Sequence, residues 1–456
     1  MRGDRAFVIV VAVLMAAFVV VFCTLPRSHY SELEKRELRT FPAYSGASLR
    51  DGSFTAEVSN WFSDSEPFRD AFMTASMQLK SWMAMKPLAA QEAVTFHAPE
   101  PATQEADLME TEGSAPDALA PADPTEALVA PRRDQRDIQE YHRNVDANAK
   151  MENAGVIVMG TAPSARALMA FKNKNKGEKA FANTVNTYQR IFAPDVKVYC
   201  MVIPTSVEYY CPDNARSCTD PEFPVMTELY ALIDTAVQVV DLYMVMGEHL
   251  DEDIYLRTDH HWSPLGAYYA ARQFAEVAGV KVPNLDDFET HAVEGYVGSM
   301  YGFSKDINVK KSPEAFVYYT PKEGNYTTTY VKYQLDKEYK IVAEDKPYQG
   351  DFFVKVANAG SAYCVFMGSD ARVTQVRTDI DNHRRLLIMK DSFGNAIPGY
   401  LFGSFEEIHV IDFRYFTHNI KTYVKEHGIT DLLMVNNISQ VCSGAIGAAY
   451  HRFLQQ

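Results

Sequence analysis

Arg385–Pro398 reads RLLIMKDSFGNAIP, and its reading decides the fold. An apolar run of strand length passes into Lys390-Asp391-Ser392, then into Phe-Gly-Asn and an apolar segment of helical character. A strand apolar on both faces belongs in a parallel sheet covered by helices on each side. A serine at the strand-to-helix turn then stands at the sheet's carboxyl edge, where open α/β sheets bind ligands. The first turn of a helix leaves N–H groups without intrahelical partners. Such groups stabilise an oxyanion on an acyl carbonyl. The same position is also an ordinary N-cap.

Similar runs lie on either side of this stretch. They are Gly155–Gly160, Val196–Pro204, Val237–Tyr243, Glu407–Phe413 and Asp431–Asn437. Helical patterns over Pro264–Val277, Asn395–Phe402 and Phe416–His427 separate them. Strands alternating with helices indicate a doubly wound α/β sheet. From about 283 to 363 the pattern changes. FVYYTP, YTTTYVKYQL and YKIVAE are rich in Tyr, Thr and Val, and are read as a β-rich insertion.

A serine nucleophile needs a base. Thr258–Ala271 reads TDHHWSPLGAYYAA. His261 is the candidate base, and Asp259 two residues earlier can hold its imidazole in one tautomer. His260 points elsewhere if the segment is extended. Pro264 suits the first turn of the helix that follows. The competing chemistry is cation binding by Asp259, His260 and His261; the bland reading is a polar loop before a helix. No CxxC or HExxH spacing occurs, so no metal or other cofactor is expected.

The N-terminal part is organised differently. Phe7–Leu25 is an uncharged apolar stretch preceded by Arg2 and Arg5. It is long enough to span a bilayer once, with the N-terminus cytoplasmic. It lacks the small-residue site of a cleaved signal peptide. The expected organisation is a cytoplasmic tip and signal anchor over 1–27, a helical membrane-proximal segment over 28–86, an acidic linker over 87–135, and a catalytic domain over 136–456. The linker carries no Lys or Arg between Pro87 and Ala130 and is too poor in apolar residues to fold. It supplies much of the net charge of −15, a balance that argues against nucleic acid as a partner. Export makes disulfides possible. Cys211 and Cys218 have a spacing a short bridge could close, or are two free thiols; Cys200 and Cys364 read as core residues.

TDHHWSPLGAYYA resembles the signature of the DHHW family. SELEKRELRTFP (Ser31–Pro42), KDSFGN (Lys390–Asn395), HVIDFRYF (His409–Phe416) and LLMVNNIS (Leu432–Ser439) resemble further family motifs in the family's order. The resemblance covers most of the chain. It implies an SGNH-hydrolase-like three-layer sandwich with a mostly parallel sheet. The motif order is circularly permuted, as in proteins of alginate and other polysaccharide O-acetylation. It implies Ser392 as nucleophile, His261 as base and Asp259 as orienting acid. Strand order suggests Asn437 as oxyanion donor, with Asn395 as its rival. Arg414 either binds a substrate carboxylate or pairs with Asp391 or Asp412, and Trp262 is a candidate sugar-stacking residue. The function implied is O-acetyl transfer to an exported or cell-surface polysaccharide. The alternatives are an acetylesterase on the same triad and a non-catalytic glycan-binding or assembly protein. A membrane-bound O-acyltransferase is the implied acyl supplier.

Overall fold

The computed structural model describes residues 25, 27, 30–31, 36–50, 52–69, 71–72, 74–75, 94–97 and 155–456, except 337–339, 369 and 371. The expected anchor over Phe7–Leu25 lies outside the described residues apart from Leu25, as does most of the acidic stretch 87–135. Among the described residues no helix is long and apolar enough to cross a membrane. The chain divides into two compact units, Met1–Gln91 with Lys305–Ile307, and Glu92–Ser304 with Asn308–Gln456.

In the smaller unit the expected helical pattern forms α1 (Ser53–Asp64). Its Trp61 ring takes the Arg27 guanidinium at 4.3 Å and the edge of Phe41 at 4.8 Å.

The larger unit begins with β1 (Val94–His97), β2 (Val156–Met159) and β3 (Arg166–Met169), a separate antiparallel sheet. This changes two expectations. Gly155–Gly160 does not join the main sheet, and part of the presumed linker is a strand paired with it. There follow β4 (Lys197–Ile203), β5 (Gln238–Asp241), β6 (Phe288–Tyr296), β7 (Glu314–Pro321), β8 (Tyr326–Leu335), β9 (Ile341–Glu344) and β10 (Tyr348–Gly350). The last four are β11 (Arg372–Thr378), β12 (Arg385–Lys390), β13 (Glu407–Asp412) and β14 (Asp431–Asn437).

The main sheet has nine strands in the order β9-β8-β11-β13-β12-β14-β4-β5, with β10 also on β8. It is mixed, not mostly parallel. Strands β13, β12, β14, β4 and β5 run parallel. Strands β8 to β11 pair antiparallel. The division follows burial. Strands β12 and β14 are buried almost throughout, whereas β8 alternates buried and exposed residues. A half-wet strand suits an antiparallel edge. The insertion therefore does two things: β8, β9 and β10 extend the sheet, while β6 and β7 form a ribbon of their own.

Helices cover both faces of the parallel half. They are α2 (Glu178–Phe192), α3 (Phe223–Leu232), α4 (Pro264–Ala278), α5 (Ile420–Glu426), α6 (Ile438–Ser443) and α7 (Ala445–Phe453). Asp431 of β14 accepts from Tyr199, whose ring meets Phe274 of α4 edge-on at 5.1 Å. Asn436 accepts from Tyr450 of α7 at 3.1 Å. Residues an odd number apart on a strand face opposite sides, so α4 and α7 lie on opposite faces. The helix expected over Asn395–Phe402 is instead two 3₁₀ turns, Ser392–Ala396 and Pro398–Leu401. Pro398 lacks the N–H an α-helix needs there. Cys211 and Cys218 are not bridged to each other; Cys200 is buried as expected, and Cys364 is exposed, not a core residue.

Candidate active site

Three adjacent parallel strands end at one place. Register pairs Lys390 of β12 with Asp412 of β13 and with Val435 of β14. Ser392, Arg414 and Asn437 therefore emerge side by side at the carboxyl edge. Asp391 caps the turn that carries Ser392, accepting from the Phe393 N–H at 3.0 Å. Its other oxygen accepts from Asn437 twice, from the backbone N–H at 2.7 Å and from Nδ2 at 2.9 Å. Asn437 Oδ1 in turn caps α6 by accepting from the Gln440 N–H at 3.1 Å.

The Asp-His segment arrives from the other side. A bridge between Tyr255 and Trp262 closes its loop at the base. Ser263 caps α4 by accepting from the Gly266 N–H, with Pro264 in the first turn. The loop tip is held by the insertion. Glu314 accepts from the Arg257 and Thr258 N–H groups and from the Thr258 hydroxyl, at 2.6 to 3.1 Å. Asp259 Oδ2 accepts from the Tyr296 hydroxyl and the Ser299 N–H, both at 2.8 Å. Gly298 lies so close that a Cβ there would overlap the Asp259 carboxylate.

The two sides meet at His261. Its Nδ1 donates to Asp259 Oδ1 at 2.6 Å, and its Nε2 lies 2.7 Å from Ser392 Oγ. With the ring proton on Nδ1, Nε2 accepts from the serine hydroxyl. The Tyr363 ring stacks on the imidazole at 4.0 Å and 9°, while its hydroxyl donates to the Ser392 carbonyl at 3.1 Å. Burial by itself would raise the Asp259 carboxyl. The neighbouring His261 and His260 and the donors around it hold it well below the usual range. Burial pushes His260 down to about 3, with His261 acting in the same direction, and its Nδ1 meets Ser299 Oγ at 2.6 Å. Asp259, His260 and His261 offer atoms close enough for a cation. Both His261 nitrogens are engaged by Asp259 and Ser392, so an ion there would have to break the chain of bonds.

A cavity of about 250 Å³ opens over Ser392, lined also by His260, Phe303, Phe413, Arg414, Asn437 and Gln440. The remaining expected site residues are placed differently. Trp262 is fully buried, and its ring N–H donates to the Phe393 carbonyl at 2.9 Å, so it has no face for a sugar. It holds the Asp-His loop against the serine turn. Asn395 gives its amide to Asp370 at 2.8 Å and does not line the cavity. Arg414 lines the cavity but grips Asp412 through Nε and Nη2, both at 2.8 Å, and reaches Asp370 at 2.9 Å.

Asp370 had no local signal, since nothing in the sequence around it marks a site. A close reading of KDSFGN could have asked what pairs with buried Lys390. The structure answers with Asp370 at 3.0 Å and Asp412 at 2.8 Å. Tyr296, Ser299, Glu314 and Tyr363 were likewise unread, because each acts across a long sequence separation.

The family described as DHHW protein matches residues 34–411. A solved DHHW family protein from Eubacterium siraeum is 32% identical, covering 65% of this chain and 95% of that one, with a TM-score of 0.58. PatB1 of Bacillus cereus is 20% identical over 64% of this chain and 99% of its own, with a TM-score of 0.51. The O-acetyltransferase domain of AlgJ from Pseudomonas putida is 14% identical over 64% and 93%, with a TM-score of 0.36, too low to carry an argument. No curated protein matches the chain.

Proposed function

This chain belongs to the DHHW family, and from that premise we propose that it is a serine O-acyltransferase that moves an acetyl group onto a carbohydrate hydroxyl. The observation that carries the reading is the unbroken chain Asp259–His261–Ser392 at the floor of a cavity. His261 Nε2 takes the Ser392 proton as Oγ bonds to the acyl carbon. The donor's leaving group then departs with that proton. In the second half, His261 takes the proton of an acceptor hydroxyl, whose oxygen attacks the acyl-serine. The bond to Oγ breaks and Ser392 recovers a proton.

The carbonyl oxygen develops negative charge in both steps and needs donors. Asn437 suits this role: its Nδ2 carries two hydrogens, and Asp391 takes one. The Ser392 N–H, first in its turn, is the second candidate. Asn395 does not line the cavity, and Arg414 is committed to Asp370 and Asp412. A cavity of about 250 Å³ is smaller than the ~300–1,000 Å³ of pockets for drug-sized ligands and suits a short acyl group with one sugar unit.

On this reading Phe7–Leu25 anchors the chain once in the membrane, with the acceptor polysaccharide outside the cytoplasm and a membrane-bound O-acyltransferase supplying the acetyl group. The test is acetyl-ester turnover by Ser392→Ala and His261→Ala, with circular dichroism confirming the fold. Both lose turnover, and mass spectrometry finds acetyl on the Ser392 peptide of the wild-type protein trapped with donor. Full turnover in either variant ends the proposal. Release of free acetate only, whatever sugar is offered, identifies an esterase.

A further inference from the structure

We infer that the cavity selects uncharged or amino-bearing acceptors over anionic ones such as uronates, with Asp370 as the residue that sets this preference. The inference rests on the acyl-transfer reading above and concerns its acceptor. Among the described residues lining the cavity, Arg414 is the one with a fixed positive charge. An acidic sugar would need that charge, but Asp412 holds it through two nitrogens and Asp370 through Nη2 at 2.9 Å. Lys390, the other nearby cation, is buried and sits between the same two carboxylates. Two cations and two anions thus cancel.

What remains uncancelled is negative. Asp391 forms part of the cavity wall, and its hydrogen-bond donors are the neutral N–H groups of Phe393 and Asn437. Asp259 lies just behind His261, its oxygens filled by His261, Tyr296 and Ser299. An anion beside Ser392 would meet the Asp391 carboxylate in the wall and feel Asp259 behind His261, with no available cation to offset them. In a partly enclosed site that repulsion is poorly screened. A neutral hydroxyl meets no such barrier, and an ammonium group is attracted. Removing the Asp370 charge leaves the Lys390 and Arg414 pair with one anion instead of two, which turns the cluster net positive.

The test uses the whole protein, an activated acetyl ester as donor, and three matched acceptors: a methyl hexoside, its uronate and its 2-amino counterpart. The expected wild-type result is kcat/KM for the neutral and amino sugars about tenfold or more above the uronate. The gap narrows as salt rises. In Asp370→Asn the ratio, read within the variant, moves toward the uronate by a similar factor. Should that variant not fold, Asp370→Ser, which also removes the charge, takes its place, and a ratio unmoved in the folded variant overturns the assignment to Asp370. Equal or preferred use of the uronate, or a ratio that ignores salt, overturns the inference. Titration calorimetry of Ser392→Ala with the same acceptors reads the preference without turnover. Stronger uronate binding there overturns the inference, whereas absent turnover in wild type overturns the acyl-transfer reading.

Discussion

The two sides of the site are built by different means. Ser392, Arg414 and Asn437 come from the ends of adjacent parallel strands, so backbone register sets their spacing. Asp259 and His261 come from a loop, and side chains of the insertion set theirs: Glu314, Tyr296, Ser299 and Tyr363. Strand register is over-determined by many ladder bonds. The loop is held by a few charge-assisted and hydroxyl bonds, each removable by one substitution. The base side should therefore be more sensitive to change in the insertion than the nucleophile side, which the insertion reaches through the Tyr363 hydroxyl on the Ser392 carbonyl.

The two aspartates that flank the His261–Ser392 pair show the same contrast. Asp259 is surrounded by histidines and held low. Asp391 faces neutral donors, and burial pushes it up to about 6, against the lowering effect of the Asn437 and Phe393 N–H groups.

The largest expected effect tests the base side. Asp259→Asn keeps the shape but presents the wrong hydrogen-bonding partner to His261 Nδ1. The expected loss in kcat is about 10⁴-fold with the fold intact. A loss under tenfold would mean that Tyr363 stacking alone orients the ring.

The next prediction tests the strand side through pH. A carboxyl raised to about 6 in the folded chain is protonated there at pH 5 and ionised in the unfolded chain. Its contribution is fully present below about pH 4 and is lost as pH rises through 6, about 3 kcal/mol in all. Asp259 and Asp370, held low, act oppositely, and their contributions are lost only as pH falls below the ordinary carboxylate range. Denaturant melts of Asp391→Asn between pH 4 and 6 should show stability rising with pH relative to wild type. Parallel curves would refute the assignment.

Gly298→Ala probes the contact between insertion and loop directly. Its Cβ would displace the Asp259 carboxylate. A misplacement of that size is expected to lower kcat about 10²-fold. KM should change little, since Gly298 does not line the cavity. The mildest test is Glu314→Gln, which keeps an acceptor for the Thr258 hydroxyl but loses the charge. About tenfold lower kcat is expected, equivalent to roughly one hydrogen bond. Equal sensitivity to a conservative change in β12, such as Ile388→Val, would erase the distinction between the two sides.

How much of this was legible follows the same division. The parallel core strands could be read from their apolar runs, because burial on both faces leaves a local pattern. The antiparallel half could not be placed. YTTTYVKYQL reads as a strand, but nothing in it says that it joins the main sheet. β11 (Arg372–Thr378) carries charges at both ends and was not anticipated. Trp262 illustrates the reverse error: an aromatic beside two histidines suggests a ligand, yet its ring is core.

By itself the sequence singled out the residues to which the proposed chemistry is assigned. Ser392, His261 and Asp259 lie in short motifs whose residue types suit acyl transfer, and the order of those motifs suggested a permuted SGNH-like domain. Tertiary structure alone decided how they are supported and what surrounds them. It brought His261 to Ser392 across 131 residues, enlisted Glu314 and Tyr363 from the insertion, and placed Asp370 between Lys390 and Arg414. Motif chemistry is local and survives in the linear chain. Charge balance and bracing depend on which distant segments the sheet order makes neighbours, and no short stretch of sequence records that.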